Sequence, residues 1–517
     1  MIIRTKYTML VLLLSLGLKV SAQNSQVLYY MNIPQKHLLN PVLRSTNAVY
    51  IGLPAISGIN LSLNNNFISL RDIFMRSATG DSIISILHPD YDIQKFLPKI
   101  NDINSFETQD MVQLFGLGFN AGENLYIFLD INEKIDANFA LPGDLLRLGL
   151  LGNESFVGNK IDLAPLRTDV RVYHEAGIGF SRNFTRNLRI GVKGKLLLGL
   201  GTASMKNNSL GVTVNEDYSL VFDADMAVNA SAPLIYKEDS EGRISGVELD
   251  TARFYSGSNL SVSNLIDYLL STENMGFGLD VGAEYRLANN KLSVSAAVTD
   301  LGYIKWKRDA KNIRANSSFE FNGFDLTDMY KRDITFDSLM TELGDSLKNS
   351  FNYDDSVNPF RTNLSPALSV GASYDLTKHL SVGLLSYTKF TGKQIREALT
   401  LSANINLSNA LSLSLGYTAA NNRFDNLGAG LSLRLGCFQF YLVSDNIPVT
   451  LNKIEFTTTQ DSGGNGALDT KFHQIWLPDN LQTIHLRFGM NLSFGNSVKK
   501  KKDTPMITTD EPIATKK

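Results

Sequence analysis

The chain has 517 residues and a formal net charge of −2, and only 19% of its residues are charged, below the roughly 25% of an average soluble protein. This balance argues against nucleic acid as a partner, and after the N-terminus no stretch supplies the ~20 apolar residues of a membrane helix. Cys437 is the single cysteine, so no internal disulfide framework exists. A large all-β unit fits these limits.

The N-terminus has the pattern of a secretory signal. Arg4 and Lys6 form a positive region, Met9–Leu18 is apolar, and Val20–Ala22 supplies small residues at a cleavage position. We expect cleavage after Ala22, so that residues 1–22 are removed. An N-terminal anchor helix is the alternative, but the apolar run is too short for it. The signal does not distinguish the periplasm, the outer membrane and the exterior.

Further along, apolar and polar residues alternate with a period of two, which is typical of a strand with two unlike faces. One such segment begins at Phe277. Its apolar members are Phe277, Leu279, Val281, Ala283 and Tyr285, and the others are Gly278, Asp280, Gly282 and Glu284. The alternation recurs from Leu188, Leu292, Ala410 and Leu427. These segments run about ten residues, the length of a transmembrane strand, whereas globular strands usually have about five or six.

The pattern therefore predicts an all-β fold, a single transmembrane antiparallel barrel with apolar side chains facing lipid and polar ones facing the lumen. A soluble periplasmic β-protein shows the same alternation and stays the alternative fold. Several charged residues fall on the predicted lumen face: Arg189, Lys193, Lys195, Asp280, Glu284, Arg434 and Arg487. Asp280 and Glu284 lie two pleats apart. Paired carboxylates serve acid–base chemistry in enzymes, but we favour ion pairs with the lumen bases.

Short and long connectors alternate along the chain, as in barrels with short periplasmic turns and longer extracellular loops. Counting on that basis predicts about fourteen strands, with both termini in the periplasm. A strand at 218–231 with a partner near 243–255 would raise the total to about sixteen. The loops are expected to hold short helices, at Leu145–Leu151 and Ser263–Ser271 among others. Trp306, at a strand end, is expected to anchor the membrane interface.

The last predicted strand ends in a recognisable pattern. Arg487, Gly489, Leu492 and Phe494 resemble the C-terminal signal read by the barrel-assembly machinery, which makes that machinery an expected partner. Residues 497–517 follow as a polar, basic stretch, which we expect to be a disordered periplasmic tail.

Motifs for catalysis and metal binding are not evident in the sequence. None of the six histidines has the spacing of a zinc hydrolase, and no G-x-S-x-G element occurs. We therefore expect no enzyme activity, no cofactor and no metal.

Leu39-Asn40-Pro41-Val42, before the first strand, resembles the Asn-Pro-Ala motif of FadL-type fatty-acid transporters and of PorV-type barrels of type IX secretion, with Val42 in place of the alanine. The wider chain resembles a Bacteroidota family of outer-membrane barrels of unknown function. The segments that carry this likeness are 31–35, 50–54, 278–285, 299–306, 444–446 and 488–491.

The resemblance implies a fourteen-strand barrel at 46–496 and an N-terminal plug at 23–45, folded into the lumen. It also implies binding of hydrophobic molecules and their lateral release. Pro41 fixes its own φ and holds Asn40 extended, so the pair either sets the turn from plug to first strand or is an ordinary loop turn. Two functions stay open: FadL-like transport of hydrophobic small molecules across the outer membrane, or PorV-like docking of secretion-system proteins.

Overall fold

Fourteen antiparallel strands close on themselves into a barrel. The computed structural model describes residues 26–77, 83–86, 88, 90–238, 244–287, 291–321, 353–392, 394–407, 410–420, 423–448, 451–461, 468–478 and 482–495. The predicted signal at 1–22 and the predicted tail at 497–517 lie outside these ranges.

The barrel strands follow one another around the wall. In chain order they are β1 (Val49–Gly52 and Ile59–Asn65), β2 (Ile103–Asn120), β3 (Leu125–Pro142), β4 (Arg167–Asn183), β5 (Leu188–Val214), β6 (Met275–Leu287), β7 (Leu292–Trp306), β8 (Phe360–Asn363 and Ala367–Asp375), β9 (Leu380–Thr391), β10 (Gln394–Leu407), β11 (Leu411–Ala420), β12 (Arg423–Leu435), β13 (Phe438–Ile447) and β14 (Thr483–Phe494). Closure comes from β14, which pairs with β13 on one side and with β1 on the other, while β1 also pairs with β2.

The prediction of about fourteen strands is confirmed, and the count of sixteen is wrong. Leu220–Ser231 is a strand, but it pairs with the far part of β5 and with Ala310–Phe321 instead of entering the wall. Ile244–Leu249 pairs with Leu234–Glu238 in a separate hairpin. Both segments therefore lie beyond the closed barrel.

One end of the barrel, the turn end, carries the short connections and the start of β1 and the end of β14. The opposite end, the loop end, carries the long connections together with two short ones, from β9 to β10 and from β11 to β12. There β5 continues past its pairing with β6, which ends at Leu198, and forms a small sheet with the strands Lys160–Asp162, Leu220–Ser231, Ala310–Phe321 and Tyr353–Ser356. Ile161, Leu163, Val212 and Val214 form a core beneath it.

The remaining elements are short. The helices are Leu70–Ile73, Gly143–Leu151 and Val262–Leu269, and the 3-10 turns are Val27–Tyr30, Pro34–Leu38, Ile93–Lys95, Leu97–Lys99, Glu154–Phe156 and Thr251–Phe254. The other hairpins pair Phe74–Arg76 with Ile83–Ser85, Tyr255–Ser256 with Asn259–Leu260, and Leu451–Asp461 with Leu468–Pro478. In the part of the chain that is described, no helix has the length and hydropathy needed to cross a membrane.

The two faces of the wall differ as the alternation predicts. Phe277 is 53% exposed and Leu415 is 59% exposed, whereas Asp280, Ser414 and Asn404 are buried on the lumen side. A soluble sandwich would bury its leucines between two sheets. Here the sheet closes and its leucines point outward, so the sandwich alternative is wrong.

A β-bulge on β7 reverses the direction of the side chains that follow it. Leu279 pairs with Leu301 and Val281 with Val298, so β7 has one extra residue opposite Asp280. Asp300 takes up this residue with a φ of +58°. Trp306 consequently faces inward and is 0% exposed, packed with Tyr173, Leu197 and Leu364. The prediction that Trp306 anchors the interface is wrong, because the bulge shifts the alternation by one residue.

Candidate functional site

The N-terminal segment 26–47, here called the plug segment, lies inside the lumen. It forms the 3-10 turns Val27–Tyr30 and Pro34–Leu38, the second begun by a proline whose fixed φ suits the first position of a helical turn. Val27, Leu28, Met31 and Ile33 are completely buried and pack on Tyr441 and Val443 of β13. The plug segment therefore has an apolar contact with one side of the wall, in an otherwise polar lumen.

Glycines on the lumen face let the plug segment approach the wall. A Cβ added at Gly282 would lie 2.1 Å from Asn40 Oδ1, one at Gly191 would lie 2.4 Å from the Pro41 carbonyl, and one at Gly430 would lie 2.3 Å from Met31 Sδ. Four more contact the plug segment in the same way, namely Gly371, Gly383, Gly416 and Gly428. A side chain at any of these positions would force the plug segment or its side chains to shift, so we call these seven residues the plug-facing glycines.

Asn40 and Pro41 lie deep in the lumen, against β5 and β6. The Asn40 side-chain amide donates to Tyr29 Oη at 2.8 Å, and its Oδ1 accepts from the Val42 amide at 3.0 Å, as in an Asx turn. Tyr29 Oη in turn lies 2.9 Å from Ser295 Oγ on the wall. The pair thus folds the plug segment back on itself and docks the fold to the barrel.

Replacing Asn40 with alanine is expected to loosen the plug segment. The change removes two buried hydrogen bonds and leaves Tyr29 Oη with one partner fewer, at a cost of ~1–3 kcal/mol. Hydrogen exchange should then speed up about 5- to 150-fold in residues 26–43, without a change in the wall strands. The control is Asn187→Ala, in an exposed turn. Equal exchange in the Asn40 variant and in the wild type would contradict the docking role.

Further polar contacts hold the plug segment, three of them at Asp445, Asn491 and Asp130. Asp445 accepts from the amides of Gln26 and Val27 at 2.8 and 2.9 Å, and so caps the first 3-10 turn. Gln35 and Asn491 exchange side-chain amide bonds of 2.7 and 3.0 Å. His37 contacts Asp130 of β3 through Nε2 at 2.6 Å.

Asp130 connects the plug segment to a set of buried and half-buried ions on β3 to β7, here called the lumen charge network. Its members are Asp130, Lys134, Glu175, Lys193, Lys195, Asp280 and Asp300. Glu175 is at the centre, with Lys134 at 2.6 Å and Lys193 at 2.8 Å. Lys193 also reaches Asp130 at 3.0 Å. Lys195 contacts Asp280 at 2.8 Å and Asp300 at 2.6 Å. Neighbouring ions of opposite charge compensate one another, which burial requires.

The structure places the other sequence-predicted charges apart from this network. Arg189 pairs with Glu284 at 3.2 Å nearer the turn end, where Glu284 also contacts Arg286 at 2.8 Å. Arg434 donates to Asn47 Oδ1 and to the Ser493 carbonyl, both at 2.8 Å. Asp280 and Glu284 thus bind different cations, as the ion-pair interpretation expects.

Sequence reasoning missed His37, Asp130, Lys134 and Glu175 and gave Asp300 no pairing role. Asp130, Asn132 and Lys134 alternate with Leu129, Ile131 and Ile135 along β3, so the period-two pattern contained the signal. The pattern does not by itself mark the end of β3, which continues to Pro142, and it does not show which of these polar residues meet charged partners on other strands.

A cavity of about 90 Å³ lies against Leu38 and Leu39, on the side of the plug segment that faces the loop end. Its lining combines apolar groups with both signs of charge: Met111, Tyr173, Leu364 and Tyr387 with Lys134, Lys389, Arg487, Asp136, Glu175 and Asp300. Arg487, a predicted lumen charge, faces this space. The lining suits an amphipathic molecule.

The predicted assembly signal lies on β14. Leu492 and Phe494 are on the outer face, and Arg487 is on the inner one. A Cβ at Gly489 would lie 2.3 Å from the Ser57 carbonyl, where the chain between the two parts of β1 turns into the lumen. This packing is a sufficient reason for a glycine at position 489. Recognition of the segment by the assembly machinery stays a prediction.

Among the residues that the structure describes, no group of three or more His, Cys, Asp or Glu side chains is arranged to hold a metal ion.

Comparisons with solved structures find outer-membrane proteins of low identity. A FadL homologue of Pseudomonas aeruginosa is 8% identical, with 92% of this chain and 100% of that chain covered and a TM-score of 0.37. The toluene transporter TodX of Pseudomonas putida is 8% identical, with 92% and 96% covered and a TM-score of 0.34. Outer membrane phospholipase A of Escherichia coli is 10% identical, with 68% and 98% covered and a TM-score of 0.17.

No curated protein matches the sequence. A model of a family of unknown function, DUF5723, matches residues 41–445. This range begins at Pro41 and includes the lumen charge network, the wall from β1 to β12 and most of β13. Because that match spans well over half of the chain, the protein belongs to family DUF5723.

Proposed function

We propose that the protein is an outer-membrane channel for hydrophobic or amphipathic small molecules, closed in this state by the plug segment. The apolar outer face supports a membrane location, since a soluble protein does not expose a continuous apolar surface of this kind. The turn end then faces the periplasm and the loop end the exterior. The protein acts by binding and passage, without a chemical step.

The observation that carries the proposal is the cavity between Leu38–Leu39 and the loop end. Its volume of about 90 Å³ holds a few waters, whereas sites for small molecules usually have roughly 300–1,000 Å³. A ligand that enters from the loop end therefore contacts the plug segment first and cannot pass until that segment moves.

The plug segment is attached in a way that permits such movement. Its backbone–backbone hydrogen bonds run within itself, for example from Met31 to Leu28 and from Leu43 to Asn40. Each of its hydrogen bonds to the wall involves a side chain, as at Asp445, Asn491 and Asp130. The segment can consequently leave its position without separating any two strands of the barrel.

A disulfide that locks the plug segment tests this proposal. Val27 Cγ2 lies 2.9 Å from a Cβ built at Gly416, close to the spacing between a cysteine sulfur and its partner's Cβ in a disulfide. We expect Val27→Cys/Gly416→Cys, in a Cys437→Ser background, to reduce uptake of a fluorescent long-chain carboxylate into proteoliposomes to the level of empty vesicles. A reducing agent should restore uptake.

Each single cysteine variant serves as the control, and neither should respond to reductant. Val27→Cys should transport as its parent does, whereas Gly416→Cys should transport at least as fast, because its new side chain crowds Val27. A neutral aromatic hydrocarbon is the second probe, because the cavity lining is both apolar and charged. Full uptake by the oxidised, fully cross-linked double variant would show that the plug segment is not the gate. No uptake of either probe by any variant would contradict the transport proposal.

Protein docking is the second candidate, favoured by the small sheet at the loop end. β5 extends to Val214, well past its last contact with β6 at Leu198, and the sheet has its own apolar core. Such a platform offers a surface beyond the membrane for a secretion-system component. Stoichiometric co-purification of a partner, lost when 203–231 is deleted but retained in the locked variant, would support docking instead of transport.

A further inference from the structure

Two cations face each other on the outer wall near the loop end. Lys305 of β7 and Arg361 of β8 are direct cross-strand partners, and both side chains are exposed. Like charges directly opposite each other destabilise a sheet. Within the described ranges neither has a carboxylate at salt-bridge distance. Arg361 Nε donates to Asn363 Oδ1 at 3.2 Å, and the guanidinium stacks 3.6 Å above the Tyr303 ring. Lys307, also exposed, adds a third positive charge.

These cations lie at the margin of the apolar outer face that is nearer the loop end. Tyr303 and Leu301 precede Lys305 on the outside of β7, and Met275 and Phe277 are the neighbours on β6. All four are apolar or aromatic, and none of them is buried. Aromatic residues with cations just beyond them mark the level of lipid headgroups.

The helix Val262–Leu269 lies beside this surface, next to β5 and to the end of β7. Val262, Ile266 and Leu270 are spaced by four residues along Val262–Leu269 and its C-cap and share one face, with Val262 and Leu270 each 63% exposed. The other face is fixed to the barrel, since Tyr268 Oη donates to the Leu200 carbonyl at 2.6 Å and Arg308 stacks 3.9 Å from the Tyr268 ring. An amphipathic helix held at this level suits the plane of a membrane interface.

We infer that Lys305 and Arg361 bind the phosphate of a phosphorylated glycolipid, of the lipid A type, in the outer leaflet. The acyl chains run along Tyr303, Leu301 and Phe277 towards the turn end, beside the apolar face of the helix. The phosphate complements the two cations, and the acyl chains cover the apolar wall next to them. An acidic soluble protein would complement the cations but would leave that apolar wall uncovered. The inference rests on the outer-membrane location proposed above, but it is independent of transport.

Binding of lipid A to the purified full-length barrel in neutral detergent tests the inference. We expect Lys305→Gln/Arg361→Gln to weaken binding of diphosphorylated lipid A about 25-fold, at about fivefold for each cation. The matched control is Arg182→Gln/Arg186→Gln, two exposed cations at the turn end, where Arg182 lies 5.6 Å from the Phe184 ring. The control should bind within about twofold of the wild type, since its cations lie at the other membrane face.

Dephosphorylated lipid A should bind the wild type as weakly as it binds the Lys305/Arg361 variant. Unchanged binding of phosphorylated lipid A by that variant would overturn the inference, and so would equal binding of the dephosphorylated form by the wild type. Phosphatidylglycerol bound as tightly as lipid A would overturn the choice of a glycolipid. Heat-modifiable gel mobility and insertion into bilayers are measured on the same samples. A protein that fails these two tests would contradict the proposed membrane location, whatever the result for lipid A.

Discussion

Replacing Gly282 with valine is expected to raise the fraction of molecules in which the plug segment has left its docked position and the barrel is open. Even the Cβ of the new side chain would lie 2.1 Å from Asn40 Oδ1 and 3.2 Å from the Ala297 Cβ. The wall strand is held by two neighbours, whereas the plug segment is held by side-chain contacts, so the plug segment yields. Overpacking costs ~1–3 kcal/mol, which raises the undocked population about 5- to 150-fold.

Conductance across planar bilayers and the rate of protease cleavage within residues 26–43 measure this population. Gly194→Val is the matched control, because Gly194 lies on β5, next to β6, and a Cβ there meets nothing within 4 Å. Gly191→Val provides a second test, since its Cβ would meet the Pro41 carbonyl instead. If both lumen variants conducted and were cleaved as the Gly194 variant is, the plug-facing glycines would have no role in docking.

Replacing Glu175 with glutamine is expected to produce the largest loss of stability. The side chain is fully buried and contacts Lys134, Lys193 and Lys195 at 2.6, 2.8 and 3.5 Å. Glutamine keeps the shape but removes the negative charge, so that each of the three lysines loses its contact with the carboxylate at the centre of the network. Breaking one partner of a buried ion pair costs ~3–5 kcal/mol, and the free energy of unfolding in lipid vesicles should fall by about that amount.

Urea titration of the vesicle-inserted barrel measures the loss, with Glu123→Gln in an exposed turn as the control of equal charge change. Adding Lys193→Gln to Glu175→Gln should recover part of the loss, because both charges of the Lys193–Glu175 ion pair are then removed. The double-mutant cycle should therefore give a coupling energy different from zero. A loss below about 0.5 kcal/mol for Glu175→Gln, the range of ordinary surface changes, would mean that water enters the lumen freely and screens the network.

The sequence predicted the barrel because the information needed is local. The alternation of Phe277, Leu279 and Val281 with Gly278, Asp280 and Gly282 sets two unlike faces whatever the strand pairs with. The approximate strand count and the short helices at 143–151 and 262–269 follow from turn and capping signals that are equally local. The strand ends are less accurately predicted, because β3 stays paired in the wall as far as Pro142 and β5 continues past its pairing with β6.

The tertiary structure decided which lumen residues meet, because those contacts join positions far apart in sequence. In the sequence pattern, Gly282 is only a small residue on the polar face of a strand. The structure shows that a Cβ at this position would collide with the docked Asn40 side chain. Asp445 caps the 3-10 turn that follows Gln26, although the two residues are 419 positions apart in sequence. The single extra residue at Asp300 turns the Trp306 side chain from the lipid side to the lumen side. Periodicity is a property of neighbours, whereas barrel closure, bulges and plug docking depend on the whole ring of strands.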